Sequence, residues 1–334
     1  MIDLSLIWVV IIAVGVLIYV VLDGFDLGIG ILFPLVKDRQ ERDVMMNTVA
    51  PVWDGNETWM VLGGAGLFAA FPLVYSTVLS ALYMPIILMV ISLIFRGVAF
   101  EFRFKANRTK HLWDQAFIWG SILASFFQGM ILGAYIQGIE TTNGIYSGGG
   151  LDWLTPFSMF TGIAVVVLYA TLGCGWLIFK TDARVQEHMF SLMPKLIIAL
   201  LVIFGAVSIY TPMVHADIAS RWFSLPQLYY FSPVPILVLV FTVLALRACK
   251  RRQEFAPFIY TLALVLLAYT GFLISLWPNI IPPSVAIWQA AAPQSSQLFA
   301  LIGALVLIPI ILFYTALSYW VFRDKVRVGD DGYH

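Results

Sequence analysis

Residues 20–36 read "VVLDGFDLGIGILFPLV", the second half of an apolar run that begins near residue 4 and is long enough to span a bilayer. Inside it sit two carboxylates, Asp23 and Asp26, and three glycines. What the acids mean depends on the solvent around them, so composition comes first. Hydrophobic residues make up 61% of the chain and charged residues 11%, a balance that marks a polytopic membrane protein. A formal net charge of zero points to neither nucleic acid nor an acidic substrate as partner. Cys174 and Cys249 have no disulfide or metal-ligand spacing. The N-terminal run lacks a basic leader and a small-residue cleavage site, so it reads as a retained first helix.

A window of about 19 residues gives nine helix candidates, at 4–36, 56–75, 78–100, 114–139, 157–180, 193–213, 233–249, 257–276 and 298–322. Every second connection between them is basic. Lys37, Arg39 and Arg42 follow the first helix, Arg103, Lys105, Arg108 and Lys110 the third, Lys180, Arg184 and Lys195 the fifth, and Arg247, Lys250, Arg251 and Arg252 the seventh. Arg323, Lys325 and Arg327 follow the ninth. The intervening loops carry no lysine or arginine except Arg221. Because basic residues collect on the cytoplasmic side, this alternation predicts an odd helix count with the N-terminus periplasmic and the C-terminus cytoplasmic.

The acids can now be given a depth. At about 1.5 Å per residue, Asp23 and Asp26 lie about 16 to 21 Å from Lys37, near the bilayer middle. An ionised carboxylate there costs on the order of 3 kcal/mol, so such residues face the protein interior and find a partner or a function. Their spacing puts them on one helix face, and Gly24 and Gly28, four residues apart, allow a second helix to approach closely. Interhelical fastening and proton or ion handling are both open readings of the pair.

A second acidic cluster lies in "APVWDGNETWM", residues 50–60. Asp54, Asn56, Glu57 and Thr58 precede an apolar run, as they would at an ordinary capped helix start. Trp53 and Trp59 flank them and suggest a packed, partly dry pocket. On the cytoplasmic side, this cluster and the Asp23–Asp26 pair would form a carboxylate ladder leading inward, and such a ladder conducts protons. Arg96, inside the third helix, is expected to snorkel or to pair with Glu101.

"DGFDLGIG", "APVWDGNETWM" with the following "GGAGLFAAFP", "FRGVAFEFR" at 95–103 and "SSQL" after a Trp-containing loop together resemble subunit II of the cytochrome bd-type quinol oxidases, including the cyanide-insensitive branch. The likeness runs nearly end to end, and the first hundred residues are the most specific. One departure is that many relatives have an acid after the tryptophan of the last periplasmic loop, where this chain has Gln289 after Trp288.

The resemblance implies an all-α inner-membrane protein of two four-helix bundles plus one extra helix, divided here as 1–139, 140–276 and 277–334. It implies a partner, subunit I, that holds the quinol site and the haems b and d and reduces dioxygen to water. It allows single-helix accessory subunits and a bound quinone or lipid. No haem is expected on this chain, and His111, His188, His215 and His334 all fall in loops, at helix ends or at the terminus. Subunit II then contributes to proton delivery from the cytoplasm, with Asp54 the first candidate and Glu57, Asp23 and Asp26 behind it. A secondary transporter would need paired broken helices in both halves, and the Asp23–Asp26 pair has no counterpart in the later helices. A purely structural assembly subunit is the remaining alternative.

Overall fold

In the computed structural model, which describes residues 3–142 and 144–329, Asp3 starts the first helix by accepting the amides of Ser5 and Leu6 at 3.0 and 3.2 Å. This is the side-chain cap that an exposed helix N-terminus requires. The same carboxylate accepts the Trp288 indole N–H at 2.8 Å. That bond, with the two amides, holds Asp3 below the usual carboxylate range. The neighbouring Gln289 accepts the Ala286 amide at 3.0 Å.

The helices are α1 (Leu4–Leu32), α2 (Arg39–Asn47), α3 (Trp53–Ala70), α4 (Pro72–Arg103), α5 (Lys110–Gln137), α6 (Pro156–Lys180) and α7 (Ala183–Val214). They continue as α8 (Ala216–Phe223), α9 (Gln227–Phe231), α10 (Pro233–Lys250), α11 (Ala256–Leu276), α12 (Ile287–Ala290) and α13 (Gln294–Val321). Two small antiparallel hairpins, β1 (Thr141–Thr142) with β2 (Ile145–Tyr146) and β3 (Asn279–Ile281) with β4 (Val285–Ala286), lie at the end of the molecule away from the basic loops. Among the described residues, eight helices are long and apolar enough to cross a membrane, with α9 and α10 running as one. The segment expected at 56–75 is not among those eight. Its counterpart, α3, carries Asp54 and Glu57 in 18 residues. The join between α3 and α4 sits at Phe71, not near 76, because Pro72 cannot continue α3 and starts α4 instead.

Helix α1 is the axis of the structure, and it lies against α3, α5 and α6. Its residues 23–30 are all buried. A Cβ on Gly28 would overlap the backbone of Tyr169, and one on Gly173 would meet Gly28 in return, so α1 and α6 touch backbone to backbone. Gly24 faces the Tyr169 ring in the same contact. Around it packs a large core that includes Phe25, Phe33, Met45, Phe100, Phe117, Trp176 and Met189, and a second core near the hairpins holds Trp8, Phe71, Leu82 and Ile281.

The basic end is closed by an ion-pair cluster. Arg103, expected in a loop, is the buried last residue of α4. Its guanidinium donates to Asp114 at 2.5 Å and to Asp43 at 2.6 Å. Arg42 reaches Asp114 at 3.0 Å, and Lys110 reaches Asp43 at the same distance. The Arg42 and Arg103 guanidinium groups each lie over the Phe33 ring, 5.2 Å from its centre. These contacts fix α2, and with it the turn that leads into residues 50–57. At the other end, Arg221 donates to the Ile274 and Ser275 carbonyls at 3.1 and 3.2 Å. This one arginine among connections otherwise free of lysine and arginine therefore caps α11, where a positive charge is favoured.

Candidate functional site

Four helices bring the site together. Asp23 and Asp26 come from α1, Asp54, Asn56 and Glu57 from the first turns of α3, Arg96 from α4 and Tyr319 from the last turn of α13. Asp23, Asp26 and Arg96 are fully buried. The expected pairing of Arg96 with Glu101 does not occur. Arg96 donates to Asp23 Oδ1 at 2.7 Å and bonds Glu57 Oε1 on its other side. Glu101 is exposed and pairs loosely with Lys105 at 3.7 Å. A guanidinium at this depth cannot reach water by snorkelling, so it is neutralised by acids from two other helices.

Asp26 is held differently. Its Oδ2 accepts the Asn56 side-chain N–H at 2.8 Å, and Asn56 Oδ1 accepts the Tyr319 hydroxyl at 2.9 Å. Asn56 is thus no helix cap. The N-cap of α3 is Val52, without a side-chain bond. Arg96 touches Asp23 and Glu57, and Asp26 makes no ion pair among the described residues. Asp26 Oδ1 and Asp23 Oδ2 are buried with no hydrogen-bond partner among the described residues. One turn back along α1, Tyr19 accepts from Gln128 at 2.7 Å, and Gln128 in turn accepts from Tyr169 at 2.8 Å. This row of polar groups continues away from the acids through the centre of the fold.

A cavity of about 510 Å³ opens beside the cluster at the basic end, lined by residues 50–56 together with Phe100, Glu101, Tyr314, Thr315, Ser318 and Tyr319. Asp54 is exposed at this cavity, and Asn56 and Tyr319 lie where it approaches Asp26. Glu57, with a quarter of its side chain exposed, spans from the surface to Arg96. The two acidic clusters do meet, but through Asn56 and Arg96 instead of carboxylate to carboxylate. Adjacent carboxylates would repel in a dry site, and an amide or guanidinium between them removes that cost. Trp53 stacks on Phe100 at 5.1 Å, and Trp59 is buried beside the cluster.

Sequence reasoning missed Tyr319, Gln128, Tyr19 and Tyr169. A tyrosine near a helix end resembles an interfacial anchor, and nothing local marks it as a partner for a residue 263 positions away. Among the described histidines, His111 lies in the first turn of α5, His188 is exposed near the start of α7, and His215 joins α7 to α8. His334 lies outside the described residues. The described residues contain no group of three or more His, Cys, Asp and Glu side chains able to hold a metal ion.

Residues 4–322 match the family described as cytochrome bd terminal oxidase subunit II. The cytochrome bd-I ubiquinol oxidase subunit 2 of Escherichia coli (strain K12) is 29% identical, over 98% of this chain and 96% of that protein. The cytochrome bd ubiquinol oxidase subunit 2 of Bacillus subtilis (strain 168) is 28% identical, over 96% of each. Among solved structures, a chain of the bd oxidase from Geobacillus thermodenitrificans superposes with a TM-score of 0.80 at 16% identity, over 96% of this chain and 98% of that one. At that identity the likeness concerns the fold.

Proposed function

The chain belongs to the cytochrome bd terminal oxidase subunit II family, a multi-pass inner-membrane component of a quinol-oxidising complex, and from that premise we propose that it delivers protons from the cytoplasm to the haem-bearing subunit I. The observation that carries this reading is the link from the cavity through Tyr319 and Asn56 to the buried Asp26. Reduction of dioxygen to water consumes protons, and a buried oxygen-reducing centre needs a route for them. Asp54 at the cavity collects protons, water in the cavity carries them past the Asn56 amide, which orients Asp26 but carries no proton itself, and Asp26 receives them. Asp26 suits that task because no cation pins it in its charged form, whereas Asp23 is paired with Arg96. Unpaired buried carboxyl oxygens are also where ordered water binds.

In this reading nine helices cross the membrane, α3 included, as two four-helix bundles plus one, with the basic end cytoplasmic. The haems b and d belong to subunit I. This chain does not fit a haem, since its described histidines lie at or near helix ends and its buried methionines, such as Met45, Met89 and Met189, pack into the core. The exposed apolar side chains of α3 and α13, among them Val61, Phe68, Phe299, Leu305 and Phe313, form the face assigned to subunit I beside the cavity. The outcome expected for Asp54→Asn is a complex with its full haem spectrum and oxygen consumption about tenfold slower, a smaller loss than that of a group transferring a proton in the transition state. Wild-type turnover by that assembled complex removes Asp54 from the route.

A further inference from the structure

Lys180, the last residue of α6, is buried and is partnered by main-chain oxygens. Its ammonium donates to the Phe322 and Asp324 carbonyls, each at 2.5 Å, just past the end of α13. The Val326 amide donates back to the Lys180 carbonyl at 2.9 Å. Lys325 pairs with Glu254 at 2.7 Å, and Arg327 with Asp182 at 2.8 Å, so residues 322–327 are clasped along the ends of α6 and α11. The clasp matters because α13 is otherwise weakly held. Gln297, near its start, is its one buried residue among those described. A cation at a helix C-terminus is favoured by the helix dipole.

One turn before the clasp, Tyr319 sits with its ring edge on Trp176, at 6.0 Å, and on Phe25, at 6.3 Å. Trp176 is itself one turn before Lys180 on α6, and the Lys180 ammonium lies 5.7 Å from its ring. We propose that Lys180 is a positioning residue for proton entry: by holding the carbonyls at the end of α13 it fixes Tyr319, and through Tyr319 the orientation of the Asn56 amide, against Asp26. The inference rests on the proton-delivery reading above. Asn56 has one donor and one acceptor end. While the Tyr319 hydroxyl occupies Oδ1, the amide must offer its N–H to Asp26. A displaced Tyr319 frees the amide to turn its carbonyl toward the carboxyl, which alters how readily Asp26 exchanges its proton.

The test uses the purified whole complex and the pH profile of oxygen consumption. Lys180→Ala is expected to keep the reduced-minus-oxidised haem spectrum and to lose about fivefold in turnover above neutral pH, with recovery at acid pH where proton supply is less limiting. Lys180→Arg, which can still donate to both carbonyls, should restore the wild-type profile. Tyr319→Phe should show the same loss, and the double variant no more than either single one. A chain ended after Arg323, which removes the Asp324 carbonyl and the rest of the clasp, is expected to behave like Lys180→Ala and carries the test if the alanine variant fails to assemble. An assembled Lys180→Ala or truncated complex with the wild-type profile overturns the proposal, as does a double variant whose loss is the product of the two single losses. Asp26→Asn, measured alongside, separates the two levels. If it is slow while Lys180→Ala is normal, only the positioning role fails; if it is normal, the delivery route fails and this role with it.

Discussion

Arg96→Leu is expected to yield no assembled complex, read as loss of the haem spectrum from the membranes of cells that still make the transcript. The guanidinium bonds Asp23 and Glu57 from two other helices and is fully buried. Removing it leaves Asp23 in a dry site and Glu57 at its edge, both without a countercharge. Breaking a buried pair by removing one partner costs about 3–5 kcal/mol, and here two partners are orphaned together. Against a total stability of about 5–15 kcal/mol for a typical domain, that loss is enough to prevent folding. Adding Asp23→Leu and Glu57→Gln to Arg96→Leu removes the orphaned charges, and the triple variant should recover part of the complex. Full yield from Arg96→Leu alone would mean that the three-residue cluster does not hold α1, α3 and α4 together.

Gly28→Val should be as damaging by a different route. The new Cβ would overlap the Tyr169 carbonyl, a backbone atom that no rotamer change can move. The helices α1 and α6 must then separate along a contact that also includes Gly24 and Gly173. Without a hydrophobic driving force between helices in lipid, such close packing is the main attraction that joins them. Overpacking typically costs about 1–3 kcal/mol, and more when backbone must shift. The expected result is a thermal unfolding midpoint well below that of the wild-type complex, with most of the protein lost during purification. Gly205→Ala on α7 serves as the control, since a Cβ there meets nothing within 4 Å among the described residues. An unchanged midpoint for Gly28→Val would contradict the backbone contact.

The sequence made the helices legible because membrane spans need long apolar runs, and the loop charges gave the chain a consistent direction. Its limits show at particular residues. The run around "FPLVYSTVL" is apolar on both sides of Phe71, so hydropathy alone cannot find the break; Pro72 carried the signal and the window averaged it away. Arg103 and Lys110 belong to helices, because an arginine in a helix end can be drawn inward by acids from other segments, here Asp43 and Asp114. For Arg96 the neighbouring Glu101 was the obvious partner, yet charge counting across helices points elsewhere. One cation at membrane depth together with Asp23, Asp26 and Glu57 calls for a pairing between helices. Asn56 resembled a cap because its motif stands at a helix start, and only the approach of α1 and α13 gives its amide two long-range partners. The different partners of Asp23 and Asp26 follow from which of them Arg96 reaches, a matter of side-chain direction that spacing cannot supply.

The central claim is that Asp26 passes protons inward from the cavity beside Asn56 and Tyr319. It is tested most directly by the oxygen-consumption rate of a purified Asp26→Asn complex, taken across pH, with the reduced-minus-oxidised spectrum as proof of assembly. Asparagine keeps the shape and can still meet the Asn56 amide, but it cannot carry a proton. The account predicts an intact spectrum and turnover slower by about tenfold or more at every pH. Wild-type turnover from a complex with its full haem spectrum would contradict it.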